Sequence, residues 1–194
     1  MLSNPFRLLP VSFAAMIGIG TMLLLLPQAT VSGRKTTVLD ALFTATSAVC
    51  VTGLSVVDTA THWTGFGKAI IMFLIQIGGL GIVTVVSIGI LLVADRIGLS
   101  HTRILAADLR TDSYSSVSKL VRNIVLTTLA FEAIFAVLLA ARFFFAHDYG
   151  LSTAAVHGVF HSISAWNNAG FALYTDSFIG FANDWYLSIA ISLA

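Results

Sequence analysis

The chain has 194 residues, of which 57% are hydrophobic and only 10% charged, and its formal net charge is +1. A soluble domain carries roughly 25% charged residues, so the composition points to an integral membrane protein, and a charge near zero without a basic run points to no nucleic-acid partner. The single cysteine, Cys50, excludes an intrachain disulfide framework and any multi-cysteine metal cluster.

Leu8 to Gln28 is almost wholly apolar. At 1.5 Å per residue it covers about 30 Å, the thickness of the hydrocarbon core, and it reads as a first spanning helix. Arg7 alone is a thin basic region for a cleaved leader, and no clear A-x-A site follows. Ser32-Gly33-Arg34-Lys35 makes a polar turn, and Thr37-x-x-Asp40 fits a capping box with Thr37 as N-cap. A helix from about Val38 to Val49 would be roughly 18 Å long, half a bilayer, before it breaks at Cys50-Val51-Thr52-Gly53. The segment therefore dips in and turns back. Lipid cannot satisfy free amides and carbonyls, so Val51 to Ser55 is expected to line a watery path.

Asp58 to Gly67 reads as a surface loop with His62 and Trp63 at headgroup depth. A second spanning helix, about Ala69 to Ala94, carries Gln76 and the cluster Gly78, Gly79 and Gly81. Such glycines let neighbouring helices approach closely; the functional reading is a helix wall thinned where it faces a cavity. Between Asp95 and Asn123 lie Arg96, Arg103, Arg110, Lys119 and Arg122, half of the ten basic residues. By the positive-inside rule this stretch is cytoplasmic. The N-terminus is then cytoplasmic too, with Arg34, Lys35 and both re-entrant tips outside. A solvated connector is the default reading, and docking of a cytosolic partner the alternative.

A third spanning helix, about Leu120 to Phe145, holds Glu132 near its middle. A carboxyl at that depth costs a few kcal/mol unless it is paired, protonated or facing water. Glu132 is read as bonding to a broken backbone segment nearby rather than to an ion. With Gly78, Gly79 and Gly81 it forms the set of structural or gating candidates. A second short helix follows Ser152 or Thr153, either able to cap it, runs to about Trp166 and breaks at Asn167-Asn168-Ala169-Gly170. After Asp176, residues 184–194 begin another apolar helix that stops short, and a truncated product is expected.

Placing Gly53 over Gly170 aligns ALFTATSAVCVTGL with GVFHSISAWNNAGF, an internal repeat of 117 residues. The fold expected is an all-α polytopic membrane protein of repeated helix–pore-helix–helix units: residues 1–95, a connector over 96–119, and an incomplete second unit over 120–194. Pore helices aim the partial negative charge of their C-termini at a cavity, which favours cations. The break then offers carbonyl oxygens in place of an ion's water shell. Glycine at 53 and 170 suits a strand whose carbonyls must all turn inward.

ATSAVCVTGLSVVDT, LIQIGGLGIVT, IGLSHTRILAADLR, FEAI and FHSISAWNNAGF together resemble the Ktr/Trk/HKT superfamily of potassium transporters, closest to the bacterial KtrB-type, TrkH-like membrane subunit. The resemblance covers nearly the whole chain. It implies four non-identical repeats around one pore, of which this sequence resembles the first and most of the second, and potassium transport across the cytoplasmic membrane. It implies potassium on the carbonyls of Val51, Thr52, Gly53 and Leu54 and of Asn168, Ala169, Gly170 and Phe171. Sodium-preferring relatives can carry serine at the first filter glycine, so Gly53 implies potassium. The partners implied are the lipid bilayer, a cytosolic ring of nucleotide-binding regulatory subunits and a second full-length chain. No cofactor is implied, no nucleotide motif is present, and the chain is not expected to be an enzyme.

Two rival readings stand beside this one. His157 and His161, four apart on one helix face with Asp148 and Asp176 nearby in sequence, could ligate zinc in a metalloenzyme, although no H-E-x-x-H is present. Alternatively, the chain is a non-conducting truncated fragment or an assembly subunit.

Overall fold

The computed structural model describes residues 5–97 and 113–194, with side chains over 10–81 and 119–194. Helix α1 spans Pro5–Leu24. It stops short of the predicted Gln28 because Pro27 has no N–H to donate and holds Leu26 extended, at φ −61° and ψ 138°. Pro27–Ala29 instead form one turn of 3₁₀ helix. Helix α2 is Val38–Val49, with the bounds read from the sequence. Its Thr37–Asp40 capping box is fully formed: Asp40 N–H donates to Thr37 Oγ1 at 3.1 Å, and Thr37 N–H donates to Asp40 Oδ2 at 2.9 Å.

The predicted surface loop differs most from expectation. Thr59–His62 form a one-turn helix α3, capped by Asp58, and both His62 and Trp63 are buried rather than spread at an interface. The cause is a set of bonds to the turn after α1. Val31 N–H donates to the His62 carbonyl at 3.0 Å, Thr64 N–H donates to the Ala29 carbonyl at 2.9 Å, and the His62 ring bonds Thr36 Oγ1 at 2.9 Å.

Helix α4 runs Gly65–Ile97, longer at both ends than predicted. Helix α5 runs Ser113–Ala146 and so begins inside the stretch read as connector; residues 98–112 of that connector, with Arg103 and Arg110, lie outside the described residues. Helix α6 is Leu151–Trp166. Neither Ser152 nor Thr153 caps it: both lie within its first turn, and the N-cap is Gly150, with no side-chain bond. Helix α7, Trp185–Leu193, is capped by Asp184.

Two compact units result, Met1–Gly79 with Phe131–Ala194, and Leu80–Ala130. All of the geometry below belongs to the first. Among the described residues there is no strand, only an isolated bridge between Thr30 and Trp63. Ala41, Ala45 and Ala48 put a small-residue face of α2 at the centre of the core with Ile71, Leu74 and Ile75 of α4. Small side chains there allow backbones to approach, which is how helices associate where lipid removes the hydrophobic drive. By length and composition one helix among the described residues, Lys119–Ala146, can cross a bilayer; Pro10–Leu24, Val38–Val49 and Gly65–Gly81 are shorter apolar stretches. Large apolar side chains such as Leu39, Phe73, Val137, Phe145 and Leu151 are more than three-fifths exposed, a surface suited to lipid rather than water.

Candidate functional site

The short helix α2 ends by a specific device. Cys50 is its C-cap, and Val51 follows at φ +48°, in the left-handed region. Val51 N–H donates to the Ala48 carbonyl at 3.3 Å and Thr52 N–H to the Ser47 carbonyl at 3.0 Å, the two bonds of a Schellman motif. That place normally belongs to glycine. A β-branched residue there is strained, and such strain persists only where the surroundings impose it. Gly53 is then left-handed again, at φ +74°.

Helix α6 ends in the same way, residue for residue. Asn167 is the C-cap and Asn168 is left-handed at φ +54°. Asn168 N–H donates to the Ala165 carbonyl at 2.8 Å, Ala169 N–H to the Ser164 carbonyl at 2.7 Å, and Gly170 has φ +70°. Positions 51 and 53 therefore match 168 and 170 in conformation as well as in register. Changing the sign of φ at every second residue undoes the alternation of a strand and turns successive carbonyls toward one side.

Hydroxyls brace both segments. Thr52 Oγ1 donates to Ser47 Oγ at 3.0 Å, and Ser164 Oγ donates to the Phe171 carbonyl at 2.7 Å. Thr52, Leu54, Asn168 and Gly170 are exposed, whereas Ala169 and Phe171 are buried. The two segments meet at their glycines: a Cβ on Gly53 would lie 2.9 Å from the Ala169 carbonyl oxygen and 3.0 Å from Gly170 Cα.

Two of the α4 glycines singled out in the sequence, Gly78 and Gly79, stand where other chain segments come close. Gly78 packs on the Val49 carbonyl at the end of α2, and Gly79 on the Asn167 side chain at the end of α6. A side chain at either position would overlap these groups. Gly81 falls in the other unit. Glu132 is buried, and its Oε1 accepts from Asn167 Nδ2 at 3.1 Å; it reaches the broken segment through a side chain rather than through free backbone.

His157 and His161 do not form a metal site in this arrangement. His161 Nδ1 donates to the His157 carbonyl at 2.8 Å, and its Nε2 accepts from Leu173 N–H at 3.0 Å, so both ring nitrogens are used. His157 Nδ1 bonds Tyr174 Oη at 2.9 Å. Among the described residues no three His, Cys, Asp or Glu side chains are grouped to hold a metal. His161 instead anchors the segment that follows Gly170.

Two carboxylates that sequence reading left without a role lie beyond the broken segments. Asp58 accepts from Ala60 N–H at 2.9 Å, Thr61 Oγ1 at 2.7 Å and Thr175 Oγ1 at 2.9 Å. Burial works to raise this carboxyl, but the three donors and the Arg34 charge outweigh it and hold it below the usual range. Asp184 Oδ2 accepts from Arg142 Nε at 2.9 Å and from His147 Nε2 at 2.8 Å, while its Oδ1 accepts two N–H groups of α7. Burial again pushes up, yet the Arg142 and His147 bonds bring it down to about 2. The repeat register contained a signal for Asp58, because Thr175 is its counterpart 117 residues on. Nothing in sequence spacing joined Asp184 to Arg142.

A family model described as TrkH, cation transport protein, matches residues 1–194. The chain is 41% identical over 186 residues to the Ktr system potassium uptake protein B of Vibrio alginolyticus, covering 96% of this chain and 40% of that protein. It is 38% identical over 189 residues to the protein of the same name from Bacillus subtilis, covering 97% and 42%. It is 36% identical over 189 residues to the potassium/sodium uptake protein NtpJ of Enterococcus hirae, again covering 97% and 42%. The chain thus spans about two fifths of the length of these curated relatives.

Proposed function

The chain belongs to the TrkH family of cation transport proteins, and from that premise we propose that the protein carrying it moves potassium ions across the cytoplasmic membrane through a pore lined by main-chain carbonyls. One observation carries the reading: two short helices end in matched left-handed turns, and the segments beyond them touch at Gly53 and Gly170. In this reading Val51, Thr52, Gly53 and Leu54 form one side of the ion path, and Asn168, Ala169, Gly170 and Phe171 another. Carbonyls replace the water that potassium sheds, and the C-terminal ends of α2 and α6 add partial negative charge.

The chemistry asked of the chain is modest. Backbone oxygens need fixed positions, and the serine and threonine hydroxyls with the paired N–H bonds to Ser47 and Ser164 supply them. A four-sided ring needs two more such segments than residues 1–194 contain. The cytosolic nucleotide-binding ring and the pairing of two full-length chains belong to the proposal through family resemblance alone, as does the cytoplasmic side of the N-terminus.

The test is growth of a potassium-uptake-deficient bacterium at low potassium, carrying either the gene in which this sequence lies or residues 1–194 alone. Rescue by the gene supports potassium transport. No rescue despite folded protein in the membrane would overturn it. Rescue by the gene but not by residues 1–194 assigns the non-conducting reading to this stretch in isolation.

A further inference from the structure

The two copies differ chemically where their short helices end. In the repeat register Asn167 matches Cys50, and Glu132 matches Ala15. One copy therefore has a polar pair where the other has two small side chains. The polar pair is in contact, and both Asn167 Nδ2 hydrogens are used: one bonds Glu132 Oε1 at 3.1 Å, the other the Ile163 carbonyl at 2.9 Å. Glu132 is only 5% exposed. Its own carbonyl accepts from Ser162 Oγ at 2.6 Å, which ties α5 to α6 at this level. Gly79 closes another side against Asn167. Gln76 approaches the carboxyl, although neither polar atom of its buried amide reaches hydrogen-bond geometry.

Asn167 is the last residue before the left-handed turn at Asn168. Holding its side chain by both donors holds the point from which residues 168–171 depart. The first copy has no such hold, because a thiol at position 50 is a weak donor; there Gly78 packs on Val49 and a hydroxyl pair braces Thr52. A buried hydrogen bond loses little to water and is stronger electrostatically than the same bond at the surface. Selectivity by carbonyl oxygens depends on how firmly their number and positions are kept.

We propose that Glu132, acting through Asn167, is a positioning residue for the second carbonyl segment, and that the firmness of this hold contributes to the discrimination of potassium over sodium. The inference rests on reading residues 168–171 as part of an ion path.

The experiment measures rubidium and sodium uptake by proteoliposomes holding the complete protein in which this sequence lies, as wild type and as Glu132→Ala, Asn167→Ala, the double variant and Glu132→Gln. Each alanine variant should lower the rubidium-to-sodium uptake ratio about tenfold, the equivalent of one lost buried hydrogen bond, with maximal rubidium uptake changed by less than about threefold. The double variant should lose no more than Asn167→Ala alone, since the Glu132 contact is already gone in that variant. Glu132→Gln keeps an acceptor oxygen and should hold the ratio within about twofold. An unchanged ratio in folded alanine variants overturns the proposal. So does a glutamine variant as damaged as alanine, because charge rather than the bond would then act. If neither alanine variant folds, Asn167→Cys, which installs the first copy's residue, is read by the same ratio. A wild type that takes up neither ion removes the ion-path reading itself, which is a different result from intact flux with unaltered preference.

Discussion

Gly53 and Gly170 face each other so closely that a Cβ built on either would sit 3.0 Å from the other's Cα. They are counterparts in the repeat, and so are Asp58 and Thr175, which bond at 2.9 Å. Counterparts that touch must both lie near the line about which the two copies are related. Two such contacts, five residues apart along each segment, mark that line, and the exposed Thr52, Asn168 and Gly170 lie along the same two segments.

Gly53→Ser should therefore fail for two separable reasons. A side chain at φ +74° costs about 1–2 kcal/mol, and its Cβ meets backbone at 2.9 Å that cannot rotate away. In the complete protein the expected result is a fall in potassium-over-sodium preference of about tenfold or more. Full preference in the folded variant would remove Gly53 from the ion path. Gly170→Ser should behave alike, because its φ is +70° and its neighbour is Gly53.

Val51 offers the opposite test. Its counterpart is Asn168, a residue type that tolerates the left-handed region, so Val51→Asn should relieve strain of about 1 kcal/mol. Thermal unfolding in detergent should shift upward by a few degrees for a gain of that size. Transport within about threefold of wild type would show that the turn, not the valine, matters. A lowered melting temperature would mean that Val51's packing against the core contributes more than its backbone costs.

How much of this was legible in the sequence varies with the range of the forces involved. Thr37, Asp40 and the break after Val49 act within one turn of helix, and the bounds of α2 followed from them. The repeat placed Gly53 and Gly170 in equivalent roles because register depends on chain order alone. Burial of His62 and Trp63 was not legible, because it depends on bonds to Ala29, Val31 and Thr36, some thirty residues away. Nor was the Gly150 cap of α6. Ser152 and Thr153 are suited to capping, but the helix begins before them, and local preference yields to how α6 packs. Glu132 was read as serving a broken segment, yet its partner Asn167 could be named only from the fold.

The glycines of α4 give a stability prediction independent of any ion. Gly78 rests on the Val49 carbonyl, which is backbone and cannot rotate away. Gly78→Ala should destabilise the protein by about 1–3 kcal/mol through overpacking, read as lost folded yield and an earlier melt. Gly79→Ala meets a side chain, Asn167, so it should disturb the Glu132 contact as well. An alanine at 78 that melts like wild type would show that α4 can move away from α2 at no cost.

Asp184 supplies the pH dependence. Its carboxyl is 6% exposed and joins Arg142, His147 and the start of α7, with its pKa brought from 3.8 to about 2. A depressed carboxyl adds stability that is complete above its unfolded value and is lost as pH falls through its folded value. The contribution should therefore be flat from neutral pH down to about 4 and disappear between about 4 and 2. Asp184→Asn removes the charge and turns an amide donor toward Arg142 or His147, at a cost of about 1–2 kcal/mol, because Arg142 is 36% exposed and partly screened. Melting curves of wild type and variant should be separated at neutral pH and converge below about pH 4. A separation that stays constant into strong acid would mean that the variant is weakened by shape rather than by the lost carboxylate, and that Asp184 holds α7 without help from its charge.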